Sequence, residues 1–404
     1  MKKTWMIPAT AILSLVLFGC PPKAGETTTA GTGGTEGEIV VGEYGSLTGG
    51  QATFGQSTHN GIMLAVDEIN SAGGVSGRKI RVITEDDQSK SEEAANAVTK
   101  LISQNNVIAV LGEVASSASL AAAPICQSNK VPMISPSSTN EKVTKVGDYI
   151  FRMCFIDPYQ GEAMANFVSK QLGMKNAAIL IDVKSDYSTG LAANFERVFL
   201  ANGGKIVGKQ SYAQGDSDFR SQLTTLKAAN PEMIFVPGYY NEIGQIAIQA
   251  RDLGMKQPLA GGDGWESPKL FEIGGKALDG CFYSNHYHVD DPDPSVRDFV
   301  QKYQERFGAK PDSLSALAYD STRVLAEAIK RAGTTDGPKL RDEIAKTANF
   351  KGVTGLINLG PDRNPIGKKL AILEVRNNST ILKGVVDPGA AAPATGTTGT
   401  TASQ

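Results

Sequence analysis

Glu38-Ile39-Val40-Val41-Gly42-Glu43-Tyr44-Gly45-Ser46-Leu47-Thr48-Gly49-Gly50 is the stretch on which the fold turns. Ile39 to Val41 read as a short apolar strand, and the run ends in a glycine-rich turn. Ile62, Ala65, Val66 and Ile69 follow at helical spacing, and Ala72-Gly73-Gly74 stops that helix. Ile80, Val82 and Thr84 alternate as a strand. Ala94, Val98, Leu101 and Ile102 make another helix, and Val107 to Leu111 a fully buried strand. A helix from about Ser117 and the strand Val131-Pro132-Met133-Ile134 continue the alternation. Strands and helices in turn, with short connections, imply a parallel sheet covered on both faces.

The pattern restarts after Asp157-Pro158. Strands are expected at 177–181, 205–212, 233–236 and 281–283, with helices around 190–201, 218–229 and 241–253. Two long helical patterns, 294–307 and 313–332, and a shorter one near 338–347 come next. A last strand pair flanks the turn at Asn377-Asn378, and Leu370 to Val375 is placed to rejoin the second sheet. Two α/β lobes with a ligand cleft between them is the architecture expected.

The chain ends read differently. Lys2 and Lys3 precede the apolar run Ile12 to Phe18, which stops at Gly19-Cys20. That is an export signal, shorter than the roughly 20 apolar residues of a membrane-spanning helix. Leu17-Phe18-Gly19-Cys20 resembles the lipobox of bacterial lipoproteins, which implies a signal over 1–19, lipidation at Cys20 and a membrane tether. Residues 20–37 then form a flexible linker, and 386–404 a disordered tail of Ala, Thr, Gly and Pro. Net charge is −2, or −4 once Lys2 and Lys3 leave with the signal, and no basic block appears. Nucleic acid is therefore not an expected partner. Cys126, Cys154 and Cys281 fit either one disulfide with one thiol or three buried thiols.

Chemical motifs are mostly missing. The glycines at 42, 45, 49 and 50 do not match a dinucleotide fingerprint, and no phosphate-binding loop occurs. His286 and His288 share a strand face, but without further ligands nearby they read as packed or solvated histidines, not as a metal pair. No nucleophile with a base is visible, so no enzyme, cofactor or metal is expected. Asp290, Asp291 and Asp293 read as a solvated loop.

What remains is a set of polar residues at strand-to-helix joints. Gly112 to Ser117 ends a buried strand and opens a helix, where a serine caps the helix and free amides attract a carboxylate. Ser135-Pro136-Ser137-Ser138-Thr139 follows the next strand, at the carboxyl end where open α/β sheets bind ligands. Gly238-Tyr239-Tyr240 and Gly261-Gly262-Asp263-Gly264 stand at equivalent joints in the second half. Amides and hydroxyls for a carboxylate, and Asp263 for an ammonium, suit a small zwitterion.

Several motifs together carry a family resemblance. They are Gly45-Ser46-Leu47-Thr48-Gly49, Asp67-Glu68-Ile69-Asn70 with Gly73-Gly74-Val75-Ser76-Gly77, and Asp86-Asp87. Pro132-Met133-Ile134-Ser135-Pro136 with Thr139-Asn140, Phe151-Arg152 with Gln160-Gly161, and Gly238-Tyr239 before Gly244-Gln245 complete the set. From Glu38 to about Lys383 the chain resembles the branched-chain amino-acid binding proteins of ABC importers. The resemblance implies the type I periplasmic binding fold: two Rossmann-like lobes with parallel sheets, joined by three hinge crossings. Lobe 1 would be 38–157 with 287–364, and lobe 2 would be 158–286 with 365–385.

By the same resemblance Ser116 holds the ligand carboxylate, the Ser137 carbonyl takes the ammonium and Thr139 contacts the head group. Tyr239 reaches in from the other lobe, Asp263 faces the ammonium, and Tyr187 and Phe54 line the side-chain pocket. Asp263 is one methylene shorter than the family's glutamate, Ala115 stands in place of a cysteine, and Trp265 is expected to change the pocket's size. The implied function is capture of an aliphatic amino acid for an ABC permease, by an exported monomer. A sensory protein of the same fold, or a binder of an aromatic acid or an amide such as urea, are the alternatives.

Overall fold

The structure, a computed structural model, describes Met1 and residues 37–388. The expected signal, Cys20 and nearly all of the linker lie outside the described residues, as does the tail beyond Pro388.

The first half builds β1 (Ile39–Gly45), α1 (Ala52–Ser71), β2 (Ile80–Asp86), α2 (Ser91–Ser103), β3 (Val110–Leu111), α3 (Ser116–Asn129), β4 (Met133–Ser135), α4 (Lys142–Lys145) and β5 (Ile150–Arg152). Its five strands are all parallel, in the order β2-β1-β3-β4-β5. Because helices cover both faces, the central strands are apolar without alternation. Val110, Leu111, Met133 and Ile134 are all buried.

The chain then builds α5 (Asp157–Asn166, prolonged to Gln171 by a wider π-helical turn), β6 (Asn176–Asp182), α6 (Asp186–Ala201), β7 (Lys205–Tyr212) and α7 (Arg220–Ala228). It continues with β8 (Met233–Phe235), α8 (Tyr240–Asp252), β9 (Leu259–Gly261), α9 (Pro268–Gly274) and β10 (Phe282–Asn285). These five strands repeat the first pattern, β7-β6-β8-β9-β10, again all parallel.

α10 (Pro294–Phe307), α11 (Ser313–Ala332), α12 (Gly337–Ala345) and the hairpin β11 (Phe350–Gly352)–β12 (Gly355–Ile357) follow. Ala318, Val324, Leu325 and Ile329 of α11 share a core with Ile39, Val41, Ile62 and Val66 of the first half. α1 and α11 approach closely at Gly61, where a Cβ would overlap the Ser315 carbonyl. β13 (Leu370–Arg376) and β14 (Ser379–Val386) close the fold, β13 lying antiparallel against β10 in the second sheet.

The chain thus passes between the two sheet systems three times, at 153–156, 286–293 and 358–369. The crossings touch: the Phe155 ring stacks on His286 with centroids 3.9 Å apart and planes 23° apart. No helix among the described residues is long and apolar enough to cross a membrane. Cys126, Cys154 and Cys281 are buried free thiols. Burial pushes the Cys154 thiol up to about 12.

Some elements differ from the sequence reading. The buried strand expected at 107–111 pairs only over Val110–Leu111. His286 and His288 do not share a strand face, because β10 ends at Asn285 and both lie on the second crossing. β5, β9, β11 and β12, which the sequence reading did not include, have three residues each and are too short to show a period.

Candidate functional site

Both sheets have the 2-1-3-4-5 order of a doubly wound fold, whose ligands bind beyond the carboxyl ends of the strands near the point where the order reverses. Segments that follow those ends line a single cavity. Val114 follows β3, and Ser137 and Thr139 follow β4. Across from them, Tyr187 follows β6, Tyr239 follows β8, and Asp263 and Gly264 follow β9. Phe54 of α1 and Leu314 of α11 complete the wall. Gly264 matters sterically, since a Cβ there would come within 2.7 Å of the Gly238 carbonyl and 2.9 Å of the Tyr239 ring.

The halves are shut against each other. Ser117 Oγ donates to Asp186 Oδ2 at 3.0 Å and accepts from the Asp186 amide at 2.9 Å. Asn140 Nδ2 donates to the Asp186 carbonyl at 2.7 Å, and the Thr53 and Ser267 hydroxyls meet at 2.9 Å. Phe54 packs edge-on against Tyr239, centroids 5.5 Å apart. In this arrangement the cavity measures about 10 Å³, room for about one water, so admission of any larger ligand requires the halves to part.

Six of the expected site residues meet at this cavity: Phe54, Ser137, Thr139, Tyr187, Tyr239 and Asp263. Tyr187 and Tyr239 stack with planes 8° apart, and the Tyr187 hydroxyl accepts from the Gly264 amide at 3.1 Å. The Ser137 Oγ is buried with no hydrogen-bond partner, an uncommon condition in a native interior. Ser116 does not line this cavity. It is the first residue of α3 and buried, and its hydroxyl accepts from the Asn140 amide at 3.2 Å. The expected serine cap is also absent: Ala115 occupies the cap position, without a side-chain bond. An adjoining cavity, lined by Ala115, Ser117, Ser46 and Tyr239, lies beside that helix end.

Asp263 opens a short 3-10 turn to Trp265 and is nearly fully buried. Its amide donates to Gln160 Oε1 at 2.8 Å, and its Oδ2 lies 2.9 Å from His286 Nε2. Its Oδ1 has no partner. Burial, opposed by the bond to Asp263, holds His286 below the ordinary imidazole range, so the ring is neutral at pH 7 and donates through Nε2. Burial, offset by a bond from Thr139 and reinforced by Asp263, raises the nearby Asp157 carboxyl to about 8. Trp265 turns away into the second half's core, donating to the Val236 carbonyl at 3.0 Å, and leaves the cavity's size alone.

Sequence reasoning passed over two features. His286 read as a packed or solvated histidine, and only its neighbourhood in space shows the link to Asp263. Beneath the first joint, the Ser46 hydroxyl sits 2.8 Å from Asp87 Oδ1 and 3.1 Å from Glu113 Oε1, while Glu113 also accepts the Ala115 amide. One hydroxyl cannot donate to two carboxylates. Burial and the Asp87 charge raise Glu113 well above the usual range, so it is Glu113 that carries the proton. Among the described residues no group of side chains could hold a metal ion.

The family model described as periplasmic binding protein matches residues 38–380. A Leu/Ile/Val-binding protein homolog of Brucella melitensis is 30% identical over 300 residues, covering 74% of this chain and 80% of its own. Among solved structures, a leucine binding protein from Thermotoga maritima is 40% identical with a TM-score of 0.83, over 87% of this chain and 99% of the other. A branched-chain amino acid transporter substrate binding protein from Streptococcus pneumoniae, in complex with isoleucine, is 34% identical with a TM-score of 0.82, covering 87% and 100%.

Proposed function

This chain belongs to the periplasmic binding protein family, and from that premise we propose that it captures a branched-chain or other aliphatic amino acid between its lobes and delivers it to an ABC permease. The observation that carries this reading is Asp263, a buried carboxylate with one unpartnered oxygen, on a cavity that also holds the Ser137, Thr139 and Tyr239 hydroxyl groups and an aromatic and aliphatic wall. A carboxylate so placed favours an ammonium, because an uncompensated buried charge is expensive.

In this reading Asp263 and the Ser137 carbonyl take the ammonium, and Thr139 and Tyr239 hold the head group. The hydroxyl and amide of Ser116, at the positive end of α3, take the carboxylate. Phe54, Tyr187, Val114 and Leu314 surround the aliphatic side chain. The lobes open to admit the ligand and close over it, binding free energy favouring the shut form. The protein acts as an exported monomer without catalysis, tethered by a lipid at Cys20 after removal of residues 1–19. The Leu/Ile/Val-binding relatives and the isoleucine-bound neighbour support the choice of ligand.

A thermal-shift screen against the common amino acids tests the function. A ligand at 100 times its Kd adds about 2.7 kcal/mol to stability, so leucine, isoleucine or valine should raise the melting temperature by several degrees. If none does, while an aromatic acid or urea does, the ligand assignment fails. For the tether, a Cys20→Ala chain should lose incorporation of labelled fatty acid.

A further inference from the structure

A second cavity, of about 420 Å³, lies where the second and third crossings meet β13 and β14. Its floor is buried and holds one strongly charged group, Lys368, 5% exposed. The Lys368 ammonium donates to the Thr354 carbonyl at 2.9 Å and to the Thr354 hydroxyl. Among the described residues it forms no ion pair; burial lowers its ammonium to about 8, against the charge of Asp320, whose Oδ2 accepts the Thr354 hydroxyl. Two of its three N–H groups are thus used within the protein, and one is left over.

His286, Tyr287 and His288 also line this cavity, and each has a buried polar atom without a partner: Nδ1, the hydroxyl and Nε2 respectively. His288 accepts the Asp290 amide on Nδ1 at 3.3 Å, so in its neutral form Nε2 is the protonated nitrogen and an unused donor. The mouth is apolar. Leu356, Leu382 and Val385 stand there 43–54% exposed, three of the few large hydrophobic side chains left in solvent. Two acids at the mouth are occupied with backbone: Asp291 Oδ1 accepts the Asp293 amide, and Asp293 caps α10 through Ser295. Lys369 lies 3.5 Å from Asp387.

We propose that this hinge-side cavity is a second ligand site, which takes a small monocarboxylate with an aliphatic tail. The carboxylate meets Lys368 at the floor, where a spare N–H and low dielectric strengthen the charge-assisted bond. The tail lies against Leu356, Leu382 and Val385, covering apolar surface that water now touches. An amine is disfavoured by the Lys368 charge. Because His286 forms part of this cavity and also bonds Asp263, the two sites share one side chain. The proposal does not depend on what the interlobe cleft binds.

The test is calorimetric titration of hexanoate into the full chain and four variants, with hexylamine as the opposite-charge control. Hexanoate should bind saturably at one site, and hexylamine should not. Leu382→Glu, an exposed substitution that leaves the core intact, should weaken hexanoate at least about tenfold, as should Lys368→Met and Leu356→Glu. Asp263→Asn, which alters the cleft, should leave hexanoate affinity unchanged. Absence of saturable binding, equal binding of hexylamine, or indifference to Leu382→Glu overturns the proposal. So does tighter hexanoate binding in Asp263→Asn, which would place the acid in the cleft, where removing a buried negative charge favours an anion.

Discussion

Replacing Asp263 with asparagine keeps the volume and one acceptor oxygen while removing the charge. In the wild type Oδ2 is taken by His286 at 2.9 Å and Oδ1 has no partner, so an arriving ammonium meets a single free carboxylate oxygen out of contact with water. Truncating one partner of a buried, hydrogen-bonded charge pair costs about 2–5 kcal/mol. At 1.4 kcal/mol per tenfold in Kd, leucine should bind the variant roughly thirty to several thousand times more weakly. Isothermal calorimetry at pH 7 reads this directly. The ligand-free variant should melt no lower than wild type, because it no longer buries a carboxylate with an unmade hydrogen bond. Weakened binding with an unharmed fold is the expected signature. Unchanged leucine affinity would refute the placement of the ammonium, whatever the melting temperature does.

Three other substitutions probe separate parts of the argument. Asp157 is raised by burial from 3.8 to about 8, so the folded state keeps a proton that the unfolded state gives up. Its contribution to stability is full below pH of about 4 and is lost as pH rises towards 8, and Asp157→Asn should flatten the fall in melting temperature between those limits. Gly61→Ala drives a methyl into the Ser315 carbonyl and should cost about 1–3 kcal/mol, seen as a lower denaturant midpoint with an unchanged slope. Ser117→Ala removes two hydrogen bonds to Asp186 across the cleft, worth about 1–3 kcal/mol together. Stopped-flow should show faster ligand release with little change in association.

The order of elements was legible because this chain's longer pieces carry clear periods. The helix expected at 313–332 is α11, Ser313–Ala332, and the strand expected at 205–212 is β7, Lys205–Tyr212. Ser137, Thr139, Tyr239 and Asp263 meet at one cavity because strand-end position in a doubly wound sheet is readable from the strand–helix alternation itself, whereas Phe54 and Tyr187, which join them there, were expected only from the family resemblance. What escaped reading depends on contacts between distant segments. The bond from His286 to Asp263 spans 23 residues, and the Ser46–Glu113 contact spans 67, with no local pattern to announce either. Ser116 fits a helix start on pattern, yet its hydroxyl turns to Asn140, 24 residues away, and Ala115 takes the capping place.

The triple passage of the backbone between the two sheets has a mechanical corollary. A single strap would let the halves swivel freely, whereas three straps side by side, two of them glued by the Phe155–His286 stack, resist torsion and permit chiefly bending. The jaws therefore return to nearly the same mutual pose at every cycle. Little orientational freedom is left to surrender when they shut, so more of the contact energy with a cargo survives as affinity.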